Sequence, residues 1–255
     1  GQLANGAMGN ARWKGVPLKA VLDKAGVQSG AKQVVFSGLD GPVSDKTPDF
    51  AKALDIDHAR DGDVMLAYGM NGDFLPVLNG FPLRLIVPGY YGTYWVKHLN
   101  EINVIDTVYD NFWMKTAYRI PDNDCNCVEP GTAPKATVPI NRFTVRSFVT
   151  NLTSGQKVKA GKTNLKGIAF DGGKGIKEVA VSIDDGKTWT PAKLGKDLGK
   201  YSFREWHLPM KLAAGQHDIK VRATSNGGET QPLKPLWNPA GYLRNVVETV
   251  RVTAA

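Results

Sequence analysis

The side chains with the best claim to chemistry are two cations set beside glycine turns. Arg84 ends the run Gly80-Phe81-Pro82-Leu83-Arg84, and Lys97 follows Pro88-Gly89-Tyr90-Tyr91-Gly92. A fixed guanidinium or ammonium beside a turn whose backbone N–H groups point outward can hold a phosphate. The same pattern also describes ordinary cations snorkelling at strand ends, and these residues alone do not separate the two readings. Other chemistry is missing: there is no nucleophile triad, no phosphate-binding glycine loop and no metal-ligand motif. His58, His98, His207 and His217 lie far apart and form no His-Glu-x-x-His arrangement, so each reads as a surface or packing residue.

Cys125 and Cys127 are the only cysteines and are separated by one residue. A bridge closing so small a ring is expected to be strained, which makes both of them free loop thiols without a catalytic role. Two cysteines cannot supply a four-ligand zinc site either. The formal charge of +8 favours an anionic partner: nucleic acid, an acidic protein face or a small oxyanion. Lys and Arg are scattered along the chain with no nucleic-acid-binding signature, so nucleic acid is set aside. No apolar run approaches the ~20 residues needed to span a bilayer. Gly1-Gln2-Leu3-Ala4-Asn5-Gly6 reads as a loop inside a domain, so a leader or an N-terminal segment is expected to precede it.

The elements that must position these residues fall into two styles. In Pro17 to Gly26, Leu18, Val21, Leu22 and Ala25 recur at helical spacing between a first-turn proline and a capping glycine, which predicts a short amphipathic helix. Strands are expected at Val34–Gly38, Val64–Tyr68 and Leu83–Val87, with a second short helix at Ile56–Ala59. Pro121 to Pro139, rich in proline and without periodicity, reads as a linker or surface loop. From Asn141 onward the helical signal disappears. Val179, Val181 and Ile183 alternate with polar residues ahead of an Asp185-Gly186 turn, and Trp189 lies on the returning strand, which predicts a hairpin. Further strands are expected at Leu165–Phe170, Phe203–Leu208, His217–Ala223 and Val246–Val252. The fold class is therefore an α+β half, residues 1–135, followed by an immunoglobulin-like β-sandwich, residues 136–255.

A longer pattern joins these pieces. Met70-Asn71-Gly72, then Asn79-Gly80-Phe81-Pro82-Leu83-Arg84-Leu85-Ile86-Val87-Pro88-Gly89, then Val96-Lys97, resembles the most recognisable block of the sulfite oxidase family. Upstream, Ala11-Arg12-Trp13-Lys14-Gly15-Val16-Pro17-Leu18 is similar to that family's lead into its short helix. Downstream, Tyr109 to Tyr118 with Trp113 between them, and Pro235-Leu236-Trp237-Asn238 with the later Asn245, resemble its remaining segments. The segment around Cys125, with no haem module, is most similar to the bacterial periplasmic sulfite dehydrogenases.

The resemblance implies a partial molybdopterin-binding domain, a dimerisation domain of the β-sandwich type, and a molybdenum-molybdopterin cofactor. It assigns Arg84 and Lys97 to the pterin and its phosphate, with Asn79 standing where vertebrate members carry a histidine. Tyr118 matches the active-site tyrosine, whose hydroxyl can bond an oxygen at the reacting centre. Arg204, in Phe203-Arg204-Glu205-Trp206, matches an arginine that grips the oxyanion, a role suited to a planar, permanently charged fork. The implied activity is oxidation of sulfite to sulfate by oxygen-atom transfer, with electrons passed to a c-type cytochrome, in the periplasm, by a homodimer. The cysteine that ligates molybdenum in the family is expected before Gly1, so no metal ligand is assigned here, and the isolated polypeptide is expected to bind molybdopterin weakly or not at all. Two other readings stand beside this one: the molybdenum portion of a nitrate reductase, and a non-catalytic dimerisation fragment.

Overall fold

The computed structural model describes Asn5 and residues 7–255. The expected loop at Gly1–Gly6 lies almost wholly outside the described residues. The chain divides into two compact units: the residues up to Asp122 together with Pro134–Asn141, and Asn123–Ala133 together with Arg142–Ala255.

The first unit is built from short antiparallel sheets. One contains Trp13–Pro17, Met65–Met70, Asp73–Phe74 and Arg84–Ile86. A second lays Gln33–Gly38 between Ala51–Asp55 and Leu99–Ile105. The Met70-Asn71-Gly72 signature is the tip of a hairpin: Asn71 and Gly72 both adopt positive φ, as a tight primed turn requires, and the Asn71 side chain accepts from Arg12 N at 2.9 Å. The predicted helix forms at Leu18–Ala25, entered from Pro17 and ended by Gly26 in the left-handed region, whose N–H donates to Leu22 O. Its buried stripe is narrower than the sequence suggested. Leu18 and Leu22, one turn apart, are buried, while Val21 is 37% exposed, since an eight-residue helix presents only two turns to the sheet.

The second unit is a β-sandwich. One sheet runs Arg146–Val149, Gly161–Phe170, Arg204–Leu212, Lys193–Leu194, and the other Gln156–Val158, Thr249–Ala254, Gly215–Ser225, Ile176–Ser182, Thr190–Pro191. Alternate residues of both sheets fill one core, among them Leu165, Trp206, Leu208 and Leu212 from the first and Val179, Val181, Ile219, Val221 and Val252 from the second. The amide of Gln231, 2% exposed, sits where the two sheets meet. Its Oε1 accepts from Ser147 N (2.8 Å) and from Ala223 N (3.0 Å), and its Nε2 donates to Asn245 O (2.9 Å). The expected hairpin closes through Asp185 and Gly186, both at positive φ. The Asp184 carboxylate secures the turn by accepting from Ser182 Oγ, Thr188 N and Thr188 Oγ1. Trp189 immediately precedes the returning strand, and Arg222 stacks on its ring at 4.5 Å. The α+β half and the sandwich half expected from the sequence are thus both present.

Two expectations for the connecting region are corrected. Cys125 and Cys127 are not free thiols but form a disulfide, with Cα atoms 5.1 Å apart. Asn126 between them takes a left-handed conformation, and Asn123 grips both the N–H and the C=O of Cys127, winding the chain until the sulfurs meet. Nor is the stretch from Pro121 to Pro139 a featureless linker. Thr137–Pro139 pairs with Arg119–Pro121, and Val128 N donates to Trp237 O.

Candidate active site

Three of the residues singled out above converge on one loop of the first unit. After the short 3₁₀ turn Val77–Asn79, Gly80 lies in the left-handed region with no room for a side chain. A Cβ there would stand 3.0 Å from Lys97 Cβ and 3.1 Å from Arg84 Cβ. Arg84 is 8% exposed and its fork donates to Asn79 O (2.8 Å) and Trp95 O (3.1 Å). The guanidinium lies against the indoles of Trp13 (5.1 Å) and Trp95 (5.8 Å), which meet each other edge to face at 5.9 Å. Burial in this slot lowers its pKa from the usual arginine value, although a guanidinium remains charged throughout the working range. Lys97 is exposed, and its Nζ donates to Leu78 O (3.1 Å). Backbone carbonyls of the loop are therefore held by the two cations whose roles were in question.

Tyr118 belongs to a neighbouring cluster of the same unit. Its backbone takes φ 58°, a left-handed conformation that a bulky residue adopts at a cost of about 1–3 kcal/mol and that is found mostly where function fixes a side chain. The Ile140 N–H donates to Tyr118 O at 2.7 Å and holds that bend. The ring is half-buried, 6.1 Å from that of Trp113, whose Nε1 donates to Pro48 O. Beneath lies Lys52, on the Ala51–Asp55 strand and wholly buried, a residue that motif reading did not select. Its Nζ donates to Trp113 O at 2.7 Å and faces the rings of Tyr94 (4.6 Å) and Tyr118 (5.2 Å). The available signal was a lysine inside the apolar run Phe50-Ala51-Lys52-Ala53-Leu54, where a charge has no reason to sit unless it is paired.

Burial takes Lys52 down to about 8, with the nearby Arg119 guanidinium pushing the same way. Arg119 is the charged neighbour, and the phenols of Tyr94 and Tyr118 are the titratable groups across from it. In the unfolded chain Lys52 keeps its proton to about pH 10.5, so between pH 8 and 10.5 unfolding takes up a proton and stability rises with pH. The full window corresponds to about 3 kcal/mol. Urea unfolding at pH 8 and pH 10 should show the native protein gaining on a Lys52→Met variant over this interval. A stability difference that stays flat between those pH values contradicts the assignment.

Arg204 lies in the second unit, at the start of the Arg204–Leu212 strand. One arm is ion-paired with the exposed carboxylate of Asp197 at 2.6 Å, and Nε is buried without a hydrogen-bond partner. Asp197 was not foreseen from the sequence. The described residues contain no cluster of three or more His, Cys, Asp or Glu able to hold a metal ion.

Residues 1–113 match the oxidoreductase molybdopterin binding domain and residues 137–255 the Mo-co oxidoreductase dimerisation domain. The two matches follow one another and together take in most of the chain. Mitochondrial sulfite oxidase of Macaca fascicularis is 35% identical over 98% of this chain and 48% of its own length. A nitrate reductase [NADH] of Solanum lycopersicum is 32% identical over 91% of this chain and 28% of its own. The crystal structure of the sulfane dehydrogenase SoxCD from Paracoccus pantotrophus superposes with a TM-score of 0.82 at 25% identity, over 96% of this chain and 63% of that one. This chain belongs to the sulfite oxidase family. It spans about half the length of the curated sulfite oxidases it matches.

The residues present fit a molybdopterin. Its phosphate suits Lys97, whose ammonium offers three donors of which Leu78 O takes one. Its flat ring system suits the exposed apolar rim of the same loop, Phe74, Val77, Leu78 and Phe81. The Nε of Arg84 is a buried donor with no partner, the mark of a missing acceptor.

Proposed function

We propose that this chain supplies the molybdopterin-binding and dimerisation portions of a sulfite-oxidising enzyme. The observation that carries the reading concerns buried polar atoms. Among the described residues only four buried side-chain N or O atoms lack a hydrogen-bond partner, and two of them are the Nε atoms of Arg84 and Arg204. Leaving such donors unmet costs about 1–3 kcal/mol each, a cost that an anionic ligand would offset.

The reaction is sulfite plus water giving sulfate, two protons and two electrons. When bound, the molybdenum cofactor supplies the oxygen-atom transfer and accepts the electron pair. The chain's own residues bind and orient. Lys97 and the loop fixed by Arg84 hold the phosphate and pterin, with Asn79 on the same turn. In the first unit Tyr118 offers its hydroxyl to an oxyanion oxygen; in the second, Arg204, ion-paired with the exposed Asp197, is a cation able to take an anion in exchange for that carboxylate. The electrons pass singly to a c-type cytochrome. The Cys125–Cys127 disulfide supports an oxidising compartment such as the periplasm, and the dimerisation-type second domain supports a homodimer.

The test is sulfite-dependent reduction of a c-type cytochrome by the cofactor-loaded, full-length protein. Arg204→Ala should lower kcat/KM for sulfite by about 10- to 100-fold, the loss expected for a charge-assisted hydrogen bond to an anion. Turnover of nitrate with a reduced donor, or of a sulfane substrate, in place of sulfite would transfer the assignment to the reaction named for the Solanum or the Paracoccus relative.

A further inference from the structure

Lys52 is the one wholly buried lysine among the described residues, and a buried charge must do something to persist. Its ammonium has three donors. One is spent on Trp113 O, and the aromatic faces of Tyr94 and Tyr118 lie on the others' side at 4.6 and 5.2 Å. Tyr94 is tied in place, because its hydroxyl donates to Ile140 O at 2.6 Å, and the Ile140 N–H in turn donates to Tyr118 O at 2.7 Å. The circuit Lys52, Tyr94, Ile140, Tyr118 therefore closes on itself, with Trp113 and its short helix Phe112–Lys115 hung from the same ammonium.

We propose that Lys52 is a positioning residue for Tyr118: its buried ammonium, anchored on Trp113 O and facing the Tyr94 and Tyr118 rings, fixes the angle at which the Tyr118 hydroxyl is presented and keeps a positive charge behind that ring. The cation draws on the π-face of the phenol, which makes its O–H a better donor to an oxyanion oxygen. Two kinds of anchoring are combined in one side chain. The hydrogen bond to Trp113 O positions the backbone, and the charge acts on the ring. The proposal rests on the reading of Tyr118 as the group that meets the oxyanion.

The experiment uses the full-length, cofactor-loaded protein with 3-fluorotyrosine placed at 118, observed by ¹⁹F NMR alongside sulfite kinetics. Lys52→Met keeps an unbranched apolar stem and removes both donor and charge, and Lys52→Gln keeps a donor for Trp113 O without the charge. Both variants should move and broaden the Tyr118 resonance and lower kcat about tenfold, with KM for sulfite changing less than about threefold, a loss of transition-state stabilisation more than of ground-state binding. In a Tyr118→Phe background, Lys52→Met should lower kcat no further, as expected for two residues that act through one group. An unmoved resonance in both variants overturns the proposal, as does restoration of native kinetics and resonance by Lys52→Gln, which would reduce Lys52 to a backbone strut. Additive losses in the double variant also overturn it. If the resonance moves but Tyr118→Phe itself turns over at the native rate, the positioning stands and it is the oxyanion-binding role of Tyr118 that fails.

Discussion

In the full-length protein, replacing Arg84 by alanine should yield at least tenfold less molybdopterin and molybdenum per chain. The effect follows from how the guanidinium is used. Its fork donates to the carbonyls of Asn79 and Trp95, and it lies against the edge-to-face pair of Trp13 and Trp95. Removing it leaves two carbonyls without their donor, each at about 1–3 kcal/mol, and opens a gap beside the two indoles. We expect a loss of about 3–5 kcal/mol from the first unit. The loop that carries Asn79 and is met by Lys97 at Leu78 O then has nothing to hold its shape. Arg84→Lys is expected to fall between, since a single ammonium cannot stack as a plane or span both carbonyls as a fork does. Metal and pterin analysis of purified protein, with thermal unfolding in parallel, measures both parts. Normal cofactor content in Arg84→Ala would show that the loop is not the binding element.

The second large effect lies in the β-sandwich. Trp206 is 2% exposed, its Nε1 donates to Ser147 Oγ at 2.9 Å, and its ring fills the space above Gly167. Trp206→Ala should destabilise this unit by about 3–5 kcal/mol, from lost burial and the cavity left behind. Urea unfolding followed by far-UV circular dichroism reads this directly. Gly167→Ala should be damaging for the opposite reason, because a Cβ there would lie 2.3 Å from Phe148 O and 2.3 Å from the Trp206 ring. Combining the two substitutions should not restore stability, since the clash with the backbone carbonyl of Phe148 remains when the indole is gone. A double variant as stable as the native protein would mean that the strands can separate, and that the packing described for this sheet is not the origin of its stability.

What could be read from residues alone was whatever depended on local chemistry. The Leu18–Ala25 helix was visible because proline and glycine bracket it, and the hairpin through Asp185 and Gly186 because alternation meets a turn that only certain residues can make. Three of the selected residues, Asn79, Arg84 and Lys97, do gather on one loop, since a signature with fixed spacing carries its own geometry. The misses were long-range. Lys52 meets Trp113, 61 positions away, and nothing near Lys52 in the chain announces that encounter beyond a charge in an apolar run. Asp197 is paired with Arg204 across a loop of glycine and lysine that shows no periodicity. The disulfide was missed because its feasibility depends on the left-handed turn at Asn126, a backbone state that composition does not reveal. The strand Trp13–Pro17 was hidden because its pairing with Met65–Met70 shifts by one residue at Lys14 and Gly15, where a glycine lets Leu66 O come within a side chain's width.

The amide of Gln231 has a mechanical meaning. Apolar surfaces pressed together resist separation but permit some sliding, because one methyl contact can be exchanged for the next. An oxygen that accepts from Ser147 in one sheet and Ala223 in the other allows no such exchange: a displacement of half a residue breaks both bonds inside a dry core. That side chain works as a bolt through the thickness of the sandwich, so the two sheets resist shear as a single plate, and a surface carried by either of them stays aligned with the other under load.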